Sequence, residues 1–297
     1  NTLNQYRFCA ANVAVTGDPR WAPEFAAGQI GFYAQDKFNV TPNFELTYGL
    51  RMDIPLFFDT PTENAEFNAS AAKQGWNVVT NHKLSSTPMW SPRVGFRWNI
   101  EKEHNMILRG GAGIFTGRIP FVWLSNNFTN TGIQTSVYNV YGSSGLKDGK
   151  QNTGKLSDVS LIVDPYKQSE NTEKLGTSNQ AINVFDKDFK FTQNLRLDLA
   201  LDFTLAGIDF TLEGVLSKNL NDIYYKDLTR TEAGKTLGEI YESLAFDNRP
   251  MFQKVSSTED ANLKKFANVY MLDNTSKGYS YNLSLSAVKR FDFGLDL

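Results

Sequence analysis

The chain has 297 residues, of which 41% are hydrophobic and 21% are charged, and its 30 basic and 32 acidic side chains leave a net charge of −2. This balance excludes the strongly basic surface by which proteins bind nucleic acid, so nucleic acid is not an expected partner. One cysteine, Cys9, and two histidines exclude an internal disulfide and a Cys/His zinc cluster. No apolar run reaches the roughly 18 residues of a membrane helix, but a membrane β-barrel alternates apolar and polar residues and needs no such run.

Alternation with a period of two runs through much of the chain and is clearest in residues 44–56. Apolar side chains occupy every second position there, which predicts a strand with one apolar and one polar face rather than a helix. The same pattern predicts further strands at 28–38, 93–101, 106–117, 189–204, 208–218 and 279–290, and the start of another at 294. The glycines of 106–117, including Gly110, Gly111 and Gly113, indicate a strand that bends and keeps its inner face small.

The connections between these strands alternate between short and long. Short turns join the strands into three antiparallel hairpins, at 28–56, 93–117 and 189–218. Long polar segments lie between the hairpins, at 57–92, 118–188 and 219–278. Each is longer than the roughly 15 residues usual for a loop in a compact soluble domain. Short turns at one end and long loops at the other are typical of outer-membrane β-barrels.

We therefore predict an all-β fold, an antiparallel up-and-down transmembrane β-barrel of which about seven or eight strands are present, with long extracellular loops. Residues 1–27 are predicted to be an outer loop, and 279–297 a hairpin that stops in its second strand. Segment 266–273 also alternates, but only a short turn separates it from 279–290, so we expect it to form a β-ribbon within the outer loop. Because open sheet edges leave unsatisfied backbone groups in a bilayer, we expect the sequence to be part of a longer chain.

Four segments resemble the barrel of TonB-dependent outer-membrane receptors, and more narrowly the large Oar-like receptors of Bacteroidetes: 28–53, 91–100, 108–126 and 274–297. The resemblance implies a cell outer membrane location and a barrel of about 22 strands with an internal plug. It also implies import of a nutrient ligand, such as an oligosaccharide, a peptide or a chelate, energised by TonB through an N-terminal segment that this sequence does not include.

The partners that the resemblance implies are outer-membrane lipid, the rest of the barrel with its plug, and TonB. In related nutrient receptors a surface lipoprotein also covers the outer loops, and the sequence leaves that partner open. Two other functions also stay open. A secreted β-rich carbohydrate-binding or adhesin module would pack both faces of its strands, whereas a passive porin would lack the plug. In a barrel, the apolar positions such as Phe32, Leu50, Phe96 and Leu199 should face lipid.

No group of residues indicates an enzyme, a metal site or a cofactor. His82 lies in a predicted loop and His104 in a tight turn, and no nucleophile motif accompanies either. The carboxylates of Asp198 and Asp202 fall on the predicted polar face, where they are expected to line a wet interior rather than to act as glycosidase acids. Loop aspartates leave calcium open, although their spacing matches no EF-hand: Asp148, Asp158, Asp164, Asp222, Asp227 and Asp273.

Aromatic residues make up 13% of the chain and fall into two groups. Rings that flank strands, such as Phe38, Phe44 and Trp98, are expected in the girdles where the membrane meets water. Rings in the predicted outer loops are candidates for capturing a sugar or a peptide, although the packing of loops onto one another needs the same side chains. The candidate ligand-binding residues are Trp21, Trp76, Trp90, Trp123, Tyr138, Tyr141 and Tyr166.

Overall fold

The computed structural model describes residues 5–141, 154–175, 177, 180–254 and 266–297. Its strands are β1 (Gln5–Ala11), β2 (Ala27–Thr41), β3 (Phe44–Phe57), β4 (Met89–Glu101), β5 (Met106–Thr116), β6 (Thr135–Tyr141), β7 (Gln180–Phe185), β8 (Gln193–Leu205), β9 (Ile208–Asp227), β10 (Arg230–Thr236), β11 (Pro250–Lys254), β12 (Phe266–Thr275) and β13 (Tyr279–Lys289). Its helices are α1 (Val13–Thr16), α2 (Ala65–Lys73), α3 (Phe121–Thr129), α4 (Ser169–Thr172) and α5 (Leu237–Ile240), with 3-10 turns at Leu156–Asp158, Pro165–Lys167 and Glu242–Leu244. In these described ranges, no helix combines the length and the apolar composition needed to cross a membrane.

One large sheet forms most of the structure. Strands β2, β3, β4, β5, β8 and β9 lie side by side in that order, and each pairs antiparallel with the next. The first part of β9 also pairs with β13, and its last part pairs with β12, which in turn pairs parallel with β7. Among the described residues β2, β13 and β7 are the open edges, so the sheet does not close into a barrel.

The short turns of this sheet all lie at one end. Residues 42–43 connect β2 to β3 and residues 102–105 connect β4 to β5, whereas β8 and β9 are joined by Ala206 and Gly207. Both of these last residues have positive φ, 51° and 70°, as the two-residue turns of hairpins require. Residues 290–296 begin a fourth turn at this end, and Lys289 and Leu297 exchange backbone hydrogen bonds across it. The predicted strand start at 294 is thus only one isolated bridge, between Arg290 and Asp296.

The two faces of the sheet differ in chemistry. One face, which we call the apolar face, has exposed large side chains in register on β2, β3, β4, β8, β9 and β13: Ile30, Phe32, Leu50, Val94, Trp98, Leu197, Leu199, Leu212, Leu216, Leu283 and Leu285. These side chains do not pack against one another across a buried core, because 53% of Leu199 and 75% of Leu283 remain exposed. Exposed rows of this size require a non-aqueous neighbour.

The long connections form a second layer of structure at the other end of the sheet, which we call the outer layer. It contains β1, β6, β7, most of the helices and the β10–β11 ribbon. Two of its apolar clusters are buried, one around Phe185 and Leu272 and one around Phe67 and Val269. The first cluster includes Phe57 and other strand-end residues, so the outer layer rests on the sheet. The predicted loops are therefore folded segments with their own cores.

Phe189 and Phe191 correct the predicted boundary of one strand. Their alternation with polar residues predicted a strand from 189, but β8 begins only at Gln193. Both rings are buried in the cluster of the outer layer, 4% and 7% exposed. A register shift between Gln193 and Asn194 accompanies the start of pairing with β9. Because these two phenylalanines are buried in the outer layer, β8 begins four residues later than the sequence pattern predicts.

Strand β12 continues in line with β13 instead of turning back from it. Both strands pair antiparallel with β9, β12 with its last six residues and β13 with residues from Ile208 to Lys218. The three residues 276–278 between them are a break in one long strand, with Gly278 at φ 99°. The segment predicted as a β-ribbon, 266–273, therefore continues the line of β13 along the last part of β9.

Glycines lie on both faces of the central strands, and at Gly110 the neighbouring backbone approaches closely. Alternation places Gly111 and Gly113 on the polar side, as expected, but Gly110 on the apolar face beside Leu199. A Cβ on Gly110 would lie 2.6 Å from the backbone oxygen of Asp198, whereas one on Gly95 would meet its nearest atom at 3.6 Å.

We expect Gly110→Ala to destabilise the protein by about 1–3 kcal/mol, because backbone atoms must shift to accept the methyl group. Gly95→Ala, the matched control on the neighbouring strand, should change stability by less than about 1 kcal/mol. Unfolding in denaturant of the lipid-reconstituted parent protein measures both values. Equal effects of the two substitutions would contradict the steric argument.

Candidate functional site

The side of the large sheet opposite the apolar face, which we call the polar face, has ion pairs and glycines. Asp53 is 3% exposed and accepts hydrogen bonds from Nε and Nη2 of Arg51, both at 2.7 Å, and from Nε2 of Gln29 at 2.7 Å. Asp202 accepts from Nε of Arg109 at 2.8 Å and from the Thr211 hydroxyl at 2.8 Å. Alternation predicted that these side chains share a face, but the sequence gives no sign of which cation pairs with which carboxylate.

Three further arginines lie on the polar face, and in the described chain none of them has a salt bridge. Arg93 and Arg196 flank Gly113 on the two strands beside it, and Arg97 lies opposite Arg109. The guanidinium of Arg93 lies 5.9 Å from the ring centroid of Phe115. Because guanidinium groups bind carboxylate and phosphate oxygens well, this side can bind acidic groups of a molecule that lies against it.

The seven aromatic residues predicted to bind ligand are distributed over several parts of the fold. Trp76 packs on the cluster around Phe67, and Trp123, in α3, packs on the cluster around Phe185. Trp90 belongs to β4 and is 52% exposed on the apolar face, so its predicted place in an outer loop is wrong. Trp21 is half-buried in the segment between α1 and β2.

The three tyrosines lie closer together. Tyr138 is buried on β6, with its ring stacked on Phe8 at 4.6 Å, and its burial raises the pKa of its hydroxyl. Tyr141, at the end of β6, accepts a hydrogen bond from Gln5 at 3.3 Å. Tyr166 is exposed, and the guanidinium of Arg20 lies 5.1 Å from its ring centroid. A binding role for these seven side chains stays a prediction.

A cleft of about 710 Å³ lies in the outer layer between the β1–β6 pair and residues 162–172. It is within the range of roughly 300–1,000 Å³ that small-molecule sites occupy. Tyr138 and Tyr166 line it, whereas the four tryptophans do not. Among the described residues that line the cleft there is no Asp, Glu, Lys, Arg or His, although these residues are common elsewhere in the chain. Sequence reasoning missed this site because β1 and β6 are 124 residues apart or more and their pairing has no local signal.

Metal-binding groups are few in the described residues. Glu101, Glu103 and His104 come close enough to share an ion, but all three are exposed in the turn between β4 and β5. Of the aspartates considered for calcium, Asp164 accepts a hydrogen bond from the Tyr166 backbone, and Asp227 accepts from Thr229 and Asn268. Asp148 lies outside the described residues. In the described ranges, these aspartates belong to no further group of three side chains that could share a metal ion.

His82 is half-buried in the outer layer, close to Asp186 and Asp188. Its Nε2 is buried and has no hydrogen-bond partner among the described residues. Burial lowers the pKa of His82 from its ordinary 6.5, and the two aspartates oppose this effect only in part. The lowered pKa means that the folded state favours the neutral ring. Burial of neutral His82 therefore stabilises the folded state above pH 6.5, and this stabilisation is lost as the pH falls through the lowered pKa.

We therefore expect acidification from pH 7.5 to about 5.5 to loosen the contact between residues 80–84 and 186–188. Amide hydrogen exchange, expressed as protection factors, should show faster opening of both segments at the lower pH. His82→Gln, which stays neutral, should remove this pH dependence. Persistence of the same dependence in the variant would assign it to other groups.

Comparison with known proteins identifies the family. The model of the outer membrane beta barrel domain family matches residues 12–297, nearly the whole chain, so the chain belongs to this family. It is a protein of the outer membrane, and its family is one of membrane barrels rather than enzymes.

Similar solved structures include the siderophore receptor PirA from Pseudomonas aeruginosa, with a TM-score of 0.41 and 11% identity over 88% of this chain. The siderophore receptor PirA from Acinetobacter baumannii has a TM-score of 0.43 and 12% identity over 90% of this chain. The chain covers 31% and 26% of these two proteins. No curated protein matches the sequence.

Proposed function

We propose that this chain is a wall segment of a TonB-dependent outer-membrane transporter of the large Oar-like type, and that the complete barrel has about 22 strands around a plug. In this proposal the outer layer captures a nutrient ligand, and the polar face borders the path by which the ligand passes the plug. The observation that carries the proposal is the two-faced sheet: an exposed apolar face in register over six strands, backed by a face of arginines, carboxylates and glycines.

The polar face supports a partner inside the barrel. Gly95 leaves its central strands without a side chain at a point where a Cβ would meet no atom closer than 3.6 Å, which provides room for a close neighbour. Arg93, Arg97 and Arg196 would pair with carboxylates of the plug, and the TonB-driven movement of the plug would break those pairs. A surface lipoprotein above the outer layer belongs to the same proposal as a further partner.

One alternative function fits the chain less well, and a second differs from a transporter in its conductance. A secreted carbohydrate-binding or adhesin module would bury its apolar rows against protein, but those rows are exposed and the family is one of the outer membrane. A passive porin would share the two-faced wall and would differ in having a permanently open channel.

The experiment compares transport and conductance of the full-length parent protein. Depletion of a defined mixture of peptides, oligosaccharides and ferric chelates is followed by mass spectrometry in cells with and without TonB, with the parent gene present or deleted. We expect one class of compound to be depleted only when both genes are present. In planar bilayers the purified protein should conduct little without denaturant. A large steady conductance together with depletion that does not need TonB would establish the porin instead.

A further inference from the structure

The cleft between β1 and residues 162–172 borders a strand edge that has no partner among the described residues. Strand β1 pairs with β6 along one edge, from Gln5 opposite Tyr141 to Ala11 opposite Thr135. Asn12 continues this register and donates its backbone N–H to the carbonyl of Gln134 at 2.8 Å. In an antiparallel pair the backbone groups of successive residues point alternately toward the partner strand and away from it.

The alternation decides which groups point outward. Asn12 bonds toward β6, so Ala10 and Phe8 do the same, and the N–H and C=O groups of Ala11 and Cys9 point away from β6. Neither residue has another backbone partner in the described ranges. Four strong hydrogen-bonding groups are thus available at one edge, which is the arrangement to which an added strand can pair.

The lining of the cleft shows that it reaches this edge. On β6 only alternate residues, Ser136 and Tyr138, line it, as expected where a cleft covers one face of a strand. On β1 every residue from Phe8 through the end of the strand lines it, including Cys9 and Ala11, whose side chains are on the other face. Contact with Cys9 and Ala11, whose outward backbone groups lie on the free edge, places the cleft along that edge.

The chemistry of the lining limits what can occupy the cleft. None of the described residues that line it is charged, and the opposite wall includes Val163, which is 98% exposed, together with Ile162 and Pro165. Small residues, Ala10 and Ala14, leave space beside the strand. Two of its four rings are poor platforms for a sugar, because Tyr138 is 6% exposed and Arg20 lies over Tyr166.

We infer that this cleft binds an extended, uncharged peptide, which adds to the free edge of β1 as a third strand and pairs with Cys9 and Ala11. Main-chain hydrogen bonds supply affinity, and the apolar walls select peptides without charged side chains. The inference deepens the proposed function and rests on it in one respect, because it assigns the peptide as the captured nutrient. Binding itself needs neither TonB nor transport.

The test uses the purified full-length parent protein in detergent and a fluorescent, acetylated and amidated peptide of alternating Val and Thr, seven residues long to match β1. The matched ligand is the same peptide with every backbone nitrogen N-methylated, which keeps the side chains and removes the donors on both edges of the peptide, so that turning the peptide around cannot restore them. We expect the unmodified peptide to bind at least about tenfold more tightly, since two lost hydrogen bonds correspond to about that factor. Amides of residues 5–11 should also exchange more slowly when the peptide is bound.

Two variants locate the contact on the protein. Ala11→Pro removes the outward N–H without removing a bond to β6, and it should weaken peptide binding about threefold, because one hydrogen bond is lost instead of two. Ala11→Val keeps the N–H and should bind as the native protein does. If Ala11→Pro misfolds, the N-methylated peptide with the native protein still decides the question.

Three results would overturn the inference: no peptide binding to the native protein at about 1 mM, equal binding of the two peptides, or displacement of the peptide by a neutral oligosaccharide whose own binding is unaffected by Ala11→Pro. Failure of the proposed function gives a different pattern. In that case the peptide binds and slows exchange at β1, but no compound is depleted by cells in a TonB-dependent manner.

Discussion

Leu283→Arg should destabilise the reconstituted parent protein by about 2–4 kcal/mol, the cost of an arginine at the lipid-facing midplane of an outer-membrane barrel. Leu283 lies on the apolar face, in a row with Gly214, Leu199 and Gly110 near the middle of the wall strands, and 75% of it is exposed. A guanidinium there must lose its hydration or distort the bilayer.

Ser284→Arg is the matched control. Ser284 is the next residue of the same strand, is also exposed, and lies opposite Glu213 on the polar face. Arginine there remains hydrated and gains a carboxylate neighbour, so the change should stay below about 1 kcal/mol. Denaturant unfolding in lipid vesicles measures the difference. Since a water-soluble sheet would tolerate arginine equally at two exposed neighbours, equal stability of the two variants would refute the membrane-facing assignment of the apolar face.

Asp53→Ala should produce the second large loss, about 2–3 kcal/mol, because a buried carboxylate that accepts three hydrogen bonds is removed while its donors stay. Arg51 is partly exposed and can recruit water, which keeps the loss below that of a fully buried pair. A Cβ on Gly31 would lie 3.1 Å from Nη2 of Arg51, so the pair is held closely against β2.

The control is Asp209→Ala, which removes the exposed carboxylate paired with Arg290 at 2.9 Å and should cost less than about 1 kcal/mol. A double-mutant cycle of Asp53→Ala and Arg51→Ala measures the coupling directly, and about 1–2 kcal/mol is expected. Additive effects in that cycle would mean that burial of Asp53, rather than its pairing with Arg51, determines the loss.

The strands of the large sheet could be predicted from sequence because the alternation of apolar and polar residues that marks each strand is local. Alternate apolar residues identify a two-faced strand wherever one face meets lipid and the other meets polar groups, as in residues 44–56 and 208–218. The family assignment agrees with that prediction for the outer membrane and the barrel. The longer extent of β4, which begins at Met89, was missed because Met89 places an apolar side chain on the polar face and Pro92 is unusual within a strand.

The outer layer could not be predicted, since its structure depends on contacts between distant segments. Phe189 and Phe191 follow the same alternation as the wall, and only the presence of Phe57 and Leu272 beside them explains why they are buried. In the same way, β1 and β6 form a pair that neither segment specifies alone. Among the candidate aromatic residues, sequence could indicate chemical type but not whether a ring would be covered by a neighbour.

The length of β9 has a consequence for movement. Its 20 residues extend about 66 Å at about 3.3 Å per residue, whereas crossing a bilayer takes about 9–11 residues of a tilted strand. The part beyond the hydrocarbon shares one continuous strand backbone with the part inside it, although the pairing of β9 with its neighbours is irregular between Lys218 and Asp222. A displacement of the outer layer against the sheet would therefore bend one continuous strand on the β9 side, whereas after β3 and β5 it would bend only the connections.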